Sequence, residues 1–150
     1  MVKSIFWSVL AVAVSMAAAF VFVVAIEVVS AVIHPMPPGM DLHDKEACTD
    51  FFASYPQWLL AIAAVSWGLT AFISTWLATR LGAYRHYAHG AAIGLLLLLA
   101  VIANLLMLPY PLWFELANLV LMPLGIFLGT WLAMAPGGGP TVVKQVASVG

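Results

Sequence analysis

Four long apolar runs, separated by short polar stretches, dominate the chain. They cover about residues 5–33, 58–79, 88–108 and 112–134. Each run is close to or longer than the roughly 20 residues that an α-helix needs to cross the hydrocarbon core of a bilayer. Prolines stand at the ends of the runs, where helices stop: Pro35, Pro56, Pro109, Pro111 and Pro136. Because lipid offers the backbone no hydrogen-bond partner, the pattern predicts an all-α membrane protein with four transmembrane helices.

Composition supports a lipid environment for these helices. Of the 150 residues, 65% are hydrophobic and only 7% are charged, and the mean hydropathy is +1.09. A soluble domain carries roughly 25% charged residues, so a water-soluble fold of this length would lack polar surface. The net charge of -1 offers no basic face, which argues against a nucleic-acid partner. The lipid bilayer is therefore the expected partner of most of the surface.

Lysine and arginine predict the orientation of the four spans. Four of the five basic residues fall on one side of the expected membrane: Lys3, Arg80, Arg85 and Lys144. The fifth, Lys45, lies among acidic residues in the loop of residues 34–57. Because basic loops stay in the cytoplasm, both termini are expected there and residues 34–57 outside. Residues 1–134 then form the transmembrane domain, and residues 135–150, with the breaker PGGGP, form a flexible cytoplasmic tail.

The two halves of the chain resemble each other. AFISTWLATRLG at 71–82 aligns with IFLGTWLAMAPG at 126–137, sharing a Phe and the run Thr-Trp-Leu-Ala. The first and third spans also both end in Pro-x-Pro. This similarity predicts two parallel-repeat helical hairpins, related by an axis along the membrane normal. Chance similarity between two apolar helices is the alternative.

Small residues recur at helical spacing in three spans. Two GxxxG pairs and one small-residue stripe are present: Gly90 and Gly94, Gly125 and Gly129, and Ser66, Thr70 and Ser74. Such positions let helices approach closely in lipid. They predict helix packing, either within the bundle or against another chain.

Several polar residues are expected to meet near the outer face: Glu27, His34, Asn104, Glu115 and Asn118. Glu27 and His34 are seven residues apart, close to two helical turns, and therefore share a face of the first span. An ionisable group inside a span is costly and usually faces the bundle interior or a cavity. A structural polar network, a proton or cation site and a metal site are all compatible with this set.

Three functions follow from these alternatives. The leading one is a non-catalytic membrane protein, either an accessory or structural subunit of a complex or a homo-oligomer, because the chain has no GxSxG, CxxC, HExxH or P-loop motif. The second is a small proton- or cation-coupled transporter that uses Glu27 and Glu115. The third is a metal- or cofactor-binding subunit in which His34 acts with Glu27 and Glu115 as weak metal-ligand candidates. No cofactor is predicted, and binding of a metal, a haem or a quinone is left as an open alternative.

Two motifs give the chain a family resemblance. The pattern E…HP.PPG.D closes the first span, and LPYPLWFEL opens the fourth. Over about residues 5–134 the chain resembles an uncharacterised family of small bacterial four-helix integral membrane proteins. The matching positions are Glu27, His34, Pro37, Gly39, Asp41, Pro109, Pro111, Trp113 and Phe114. The resemblance implies a four-helix architecture and a bacterial inner-membrane location, and it implies no chemistry.

Overall fold

A computed structural model describes residues 2–41, 43–82 and 86–135. Those residues form five α-helices and no strand: α1 (Val2–Ile33), α2 (Lys45–Ala53), α3 (Gln57–Leu81), α4 (Tyr87–Met107) and α5 (Leu112–Met134). The four longest helices are apolar and long enough to cross a membrane, which confirms the predicted all-α protein with four candidate transmembrane helices. Arg85 and the expected tail from residue 136 onward lie outside the described residues.

Prolines mark the ends of the long helices. The N–H of His34 still donates to the carbonyl of Ser30 at 2.8 Å, and the helix then stops before Pro35, which disfavours helical backbone in the preceding residue. Pro111 directly precedes α5, and its φ of -59° suits entry into a helical turn. Prolines therefore stand at several helix ends, whereas Pro123 lies inside α5 without ending it.

The connection between α1 and α3 contains a short helix, α2, which the sequence analysis assigns to loop. The Asp44 side chain caps α2 by accepting hydrogen bonds from the N–H groups of Glu46 at 3.0 Å and Ala47 at 3.2 Å. Cys48 and Phe52, one turn apart, are both buried. An N-cap aspartate followed by an apolar pair at helical spacing is the signal that identifies this helix in the sequence.

Helix α3 is the hub of the bundle, and its most extensive contact is with α5. Two glycines of α5 make this contact possible. A methyl group on Gly125 would overlap the backbone carbonyl of Gly68, and one on Gly129 would overlap the carbonyl of Phe72. The absence of side chains therefore lets the backbones of α3 and α5 touch, as small residues do between helices in lipid.

The remaining small residues also lie at contacts within the chain. Gly90 of α4 faces the hydroxyls of Thr79 and Thr130, and Gly94 faces the side chain of Ile126. On α3, Thr70 and Ser74 are buried and Ser66 is half-buried. Helix α4 thus packs on both α3 and α5, whereas α1 packs mainly on α3.

Candidate ligand-binding site

A cavity of about 270 Å³ opens at the end of the bundle where α2 and the α4–α5 turn lie. We call it the loop-end chamber. Its walls come from the end of α1, from α2, α3, α4 and α5, and from both connections at this end. The polar lining residues are Glu27, Ser30, His34 and Asn104, and the aromatic ones are Phe51, Phe52, Tyr55, Trp67, Tyr110 and Phe114.

The aromatic lining residues form one continuous network. His34 stacks on Phe51 with ring centroids 4.8 Å apart. Tyr110 joins the two sides of the chamber, because its ring centroid lies 4.6 Å from that of Phe52 and 4.7 Å from that of Phe114. These separations are typical of interacting aromatic pairs, so the rings hold α2 against the rest of the bundle.

Glu27 is the one carboxylate among the described residues that line the chamber. It lies six residues before the end of α1, about 9 Å along the helix axis. Its side chain also lines a second cavity of about 220 Å³, the mid-span cavity, between α1, α3, α4 and α5. Among the described residues, the Glu27 carboxylate has no hydrogen bond and no ion pair. The charge is therefore uncompensated by the protein at the junction of two cavities.

Two further polar groups lie at this junction without hydrogen-bond partners among the described residues. They are Nε1–H of Trp67 and Oδ1 of Asn104, and both residues line both cavities. Trp67 is only 8% exposed. A buried donor or acceptor without a partner is costly. The donor, the acceptor and the carboxylate thus belong to three residues that line the same two cavities, a set of groups suited to a polar ligand.

Tyr110 supplies a neutral hydroxyl to the chamber. Burial raises the pKa of its phenol well above the ordinary value, and the charge of Glu27 and then Tyr55 raise it further. The phenol therefore remains protonated at physiological pH. It can donate a hydrogen bond to a ligand in the chamber.

The structure brings together three of the five polar residues that the sequence analysis groups. Glu27, His34 and Asn104 line the chamber, whereas Glu115 and Asn118 line neither the chamber nor the mid-span cavity. The helical turn explains the difference for Glu115. It follows Phe114, so it points about 100° away around α5 from the residue that faces the chamber.

Asn118 lies deeper, on the face of α5 that packs against α3. It is fully buried, and its Nδ2 donates to the carbonyl of Phe114 at 2.9 Å. Its Oδ1 has no partner among the described residues. Asn118 therefore belongs to the helix interface and not to the chamber.

The aromatic wall of the site is not predicted from the sequence. Phe51, Phe52 and Tyr55 come from FFASYP, which reads as loop until α2 is recognised, and Trp67 reads as one more apolar residue of a span. The density of aromatic residues in an otherwise acidic connection is the signal that points to them.

The weak metal candidates are not assembled into a site. Among residues 2–41, 43–82 and 86–135, no three His, Cys, Asp or Glu side chains lie close enough together to hold a metal ion. His34 instead stacks on Phe51, and its Nε2 hydrogen bonds with the hydroxyl of Ser54 at 3.3 Å. No protein-family model, curated protein or solved structure matches this chain.

Proposed function

We propose that the protein is a small non-catalytic membrane carrier or binding protein for a cationic solute, and that Glu27 supplies the charge of its binding site. The observation that carries this proposal is the position of Glu27, unpaired, where the loop-end chamber meets the mid-span cavity. A charged group within a span is costly. A proton or a bound cation neutralises the Glu27 carboxylate, so binding of either one lowers the cost of keeping this residue within the span. Glu115 has no place in this site.

A carboxyl-reactive reagent tests the proposal. Dicyclohexylcarbodiimide modifies protonated carboxyl groups in apolar, accessible surroundings. In reconstituted protein, we expect mass spectrometry to find Glu27 modified rapidly, and faster as the pH falls. Glu115, which is less exposed than Glu27 and lies outside the chamber, is the comparison carboxylate and should react more slowly. Equal rates at the two residues, or no reaction at Glu27, would contradict an accessible cation site.

The location proposed for the chamber is the outer face of a bacterial inner membrane, with both termini in the cytoplasm. The distribution of Lys3, Arg80, Arg85 and Lys144 supports this orientation. Fusions of green fluorescent protein and of alkaline phosphatase to the C-terminus test it. Fluorescence without phosphatase activity is expected, and the reverse pattern would place the chamber on the cytoplasmic side.

A second candidate function is that of an accessory or structural subunit, or of a homo-oligomer. It is favoured by an open groove of about 510 Å³ between α4 and α5, which has Gly94 in its lining and Leu95, Phe127 and Trp131 exposed beside it. An apolar groove with a small residue in its wall suits a transmembrane helix. Purification in a mild detergent with mass spectrometry of co-purifying chains tests it. A stoichiometric partner or a stable homo-oligomer supports the candidate, and a lone chain contradicts it.

The parallel repeat also stands as a proposal. The two helices that correspond in the alignment, α3 and α5, form the most extensive contact, and α1 on α3 corresponds to α4 on α5. One departure is clear, because the substantial α3–α4 contact has no comparable α1–α5 counterpart. The α2 insertion, present only in the first hairpin, accompanies this asymmetry.

A further inference from the structure

We infer that the loop-end chamber binds an organic ammonium group, with its positively charged nitrogen held between the aromatic rings and the Glu27 carboxylate. The inference rests on the proposed function, because it takes Glu27 as a cation site and names the class of cation. The group could belong to a free solute or to a lipid headgroup, which share this chemistry.

The aromatic network is the first reason. Six Phe, Tyr and Trp residues line a chamber of only about 270 Å³. The faces of such rings attract cations, most strongly when the cation has lost its water. Alkyl groups on an ammonium nitrogen bury apolar surface against the same rings. Cavities lined by aromatic side chains are used to recognise alkylated ammonium ions.

The charge of the lining is the second reason. Glu27 contributes a negative charge, and no Lys or Arg is among the described residues that line the chamber, so an anionic ligand would be repelled. A hard inorganic cation such as Ca²⁺ or Mg²⁺ needs several oxygen ligands. The lining, as far as the structure describes it, offers a single carboxylate and no group of three acidic or histidine side chains. An organic ammonium ion needs no such oxygen shell.

The unpaired polar atoms are the third reason. Trp67 and Asn104 line the same two cavities as Glu27, and neither Nε1–H of Trp67 nor Oδ1 of Asn104 has a hydrogen-bond partner among the described residues. Nε1–H can donate to a hydroxyl or ester oxygen of a ligand, and Oδ1 can accept from a hydroxyl. The chamber volume of about 270 Å³ lies just below the roughly 300–1,000 Å³ of sites for drug-sized ligands, so it suits a ligand smaller than these. The chamber accommodates a headgroup-sized ligand.

Choline and 3,3-dimethylbutan-1-ol provide a direct test, because they have the same shape and differ in the charged nitrogen. Binding to the purified full chain in a nonionic maltoside detergent is measured by isothermal titration calorimetry. Saturable choline binding is expected, with the neutral analogue at least about tenfold weaker. Equal affinity for the two compounds would overturn the inference.

Variants assign the binding to the chamber. Glu27→Gln should weaken choline binding at least about tenfold, and Glu115→Gln should leave it unchanged. Phe51→Leu removes a half-buried ring of the wall and should weaken binding severalfold. Phe20→Leu, on a 71% exposed position of α1, is its control. Unchanged binding in Glu27→Gln would overturn the inference, and circular dichroism confirms that each variant is folded.

Dihexanoylphosphatidylcholine separates the two sources of the ligand. Glu27-dependent binding of choline itself assigns a free solute, and Glu27-dependent binding of the phospholipid alone assigns a headgroup. If neither choline nor the phospholipid binds, the inference fails.

The carbodiimide experiment then decides the proposed function separately. Rapid modification of Glu27 that sodium chloride slows keeps a cation site of another kind, whereas an unreactive Glu27 removes both proposals.

Discussion

Replacing Gly125 by alanine should destabilise the protein, because this glycine lies where two helix backbones touch. An added methyl group would overlap the carbonyl of Gly68, and its next neighbour is the backbone N of Phe72 at 3.2 Å. Backbone atoms cannot rotate away as a side chain can, so α3 and α5 must separate. Overpacking of this kind costs about 1–3 kcal/mol, and the better helix propensity of alanine offsets up to about 1 kcal/mol. We expect a net loss of about 1–2 kcal/mol in the free energy of unfolding.

The chain provides matched controls for this substitution. A methyl group on Gly94 would lie 2.5 Å from Cγ2 of Ile126, a β-branched side chain with little freedom at χ1, so Gly94→Ala also requires a shift, but of a side chain and not of a helix backbone, and should cost less. A methyl group on Gly68 would lie 3.2 Å from Cβ of Leu121, which requires only a small shift. Unfolding by dodecyl sulfate in mixed micelles, followed by far-ultraviolet circular dichroism, gives the three values. A Gly125→Ala variant as stable as the wild type, or more stable than Gly68→Ala, would refute the proposed backbone contact.

Two smaller predictions concern the walls of the loop-end chamber. Asp44→Ala removes the N-cap of α2 and should cost about 0.5–2 kcal/mol of helix stability. Hydrogen exchange at the amides of Glu46 and Ala47 should then accelerate, with unchanged rates contradicting the cap. Because the folded-state pKa of Tyr110 is raised, its stabilising contribution is complete below the unfolded value near 10 and declines as the pH rises above it. The loss of stability between about pH 10 and 11.5 should be smaller in Tyr110→Phe than in the wild type, and equal slopes would argue against a buried phenol.

The sequence predicts the four long helices well because lipid imposes a simple requirement. A run of about 20 apolar residues bounded by proline has few alternatives to a spanning helix. The short helix α2 is harder to predict, since nine residues of mixed composition are helical mainly through the Asp44 cap and the packing of Phe52. Helices this short depend on tertiary contacts, which a local pattern does not contain.

The candidate site is predictable only in part for the same reason. Glu27 and His34 both line the chamber, and the sequence groups them because periodicity relates residues on one helix. Asn104 joins them because its depth in α4 follows from counting residues in a span. The aromatic wall depends on how α2 folds back over the bundle. Glu115 shows that depth in the membrane does not by itself identify a residue of the site, because a residue at the depth of the chamber can still face away from it.

The helix contacts that stabilise the bundle and the carboxylate proposed to bind the ligand lie on different helices. The Glu27→Gln variant tests whether stability and binding are independent. Helices α3 and α5 are joined through their backbones, whereas α1, which holds Glu27, contacts mainly α3. If Glu27 were part of a structural network, removing its charge would destabilise the fold. An unpaired carboxylate in a span costs free energy instead, so glutamine should keep the stability or raise it by ~1 kcal/mol. The same dodecyl sulfate titration measures this, without amines in the buffer and with Glu115→Gln as control. A clear loss of stability in Glu27→Gln would assign the residue to the architecture and not to a ligand.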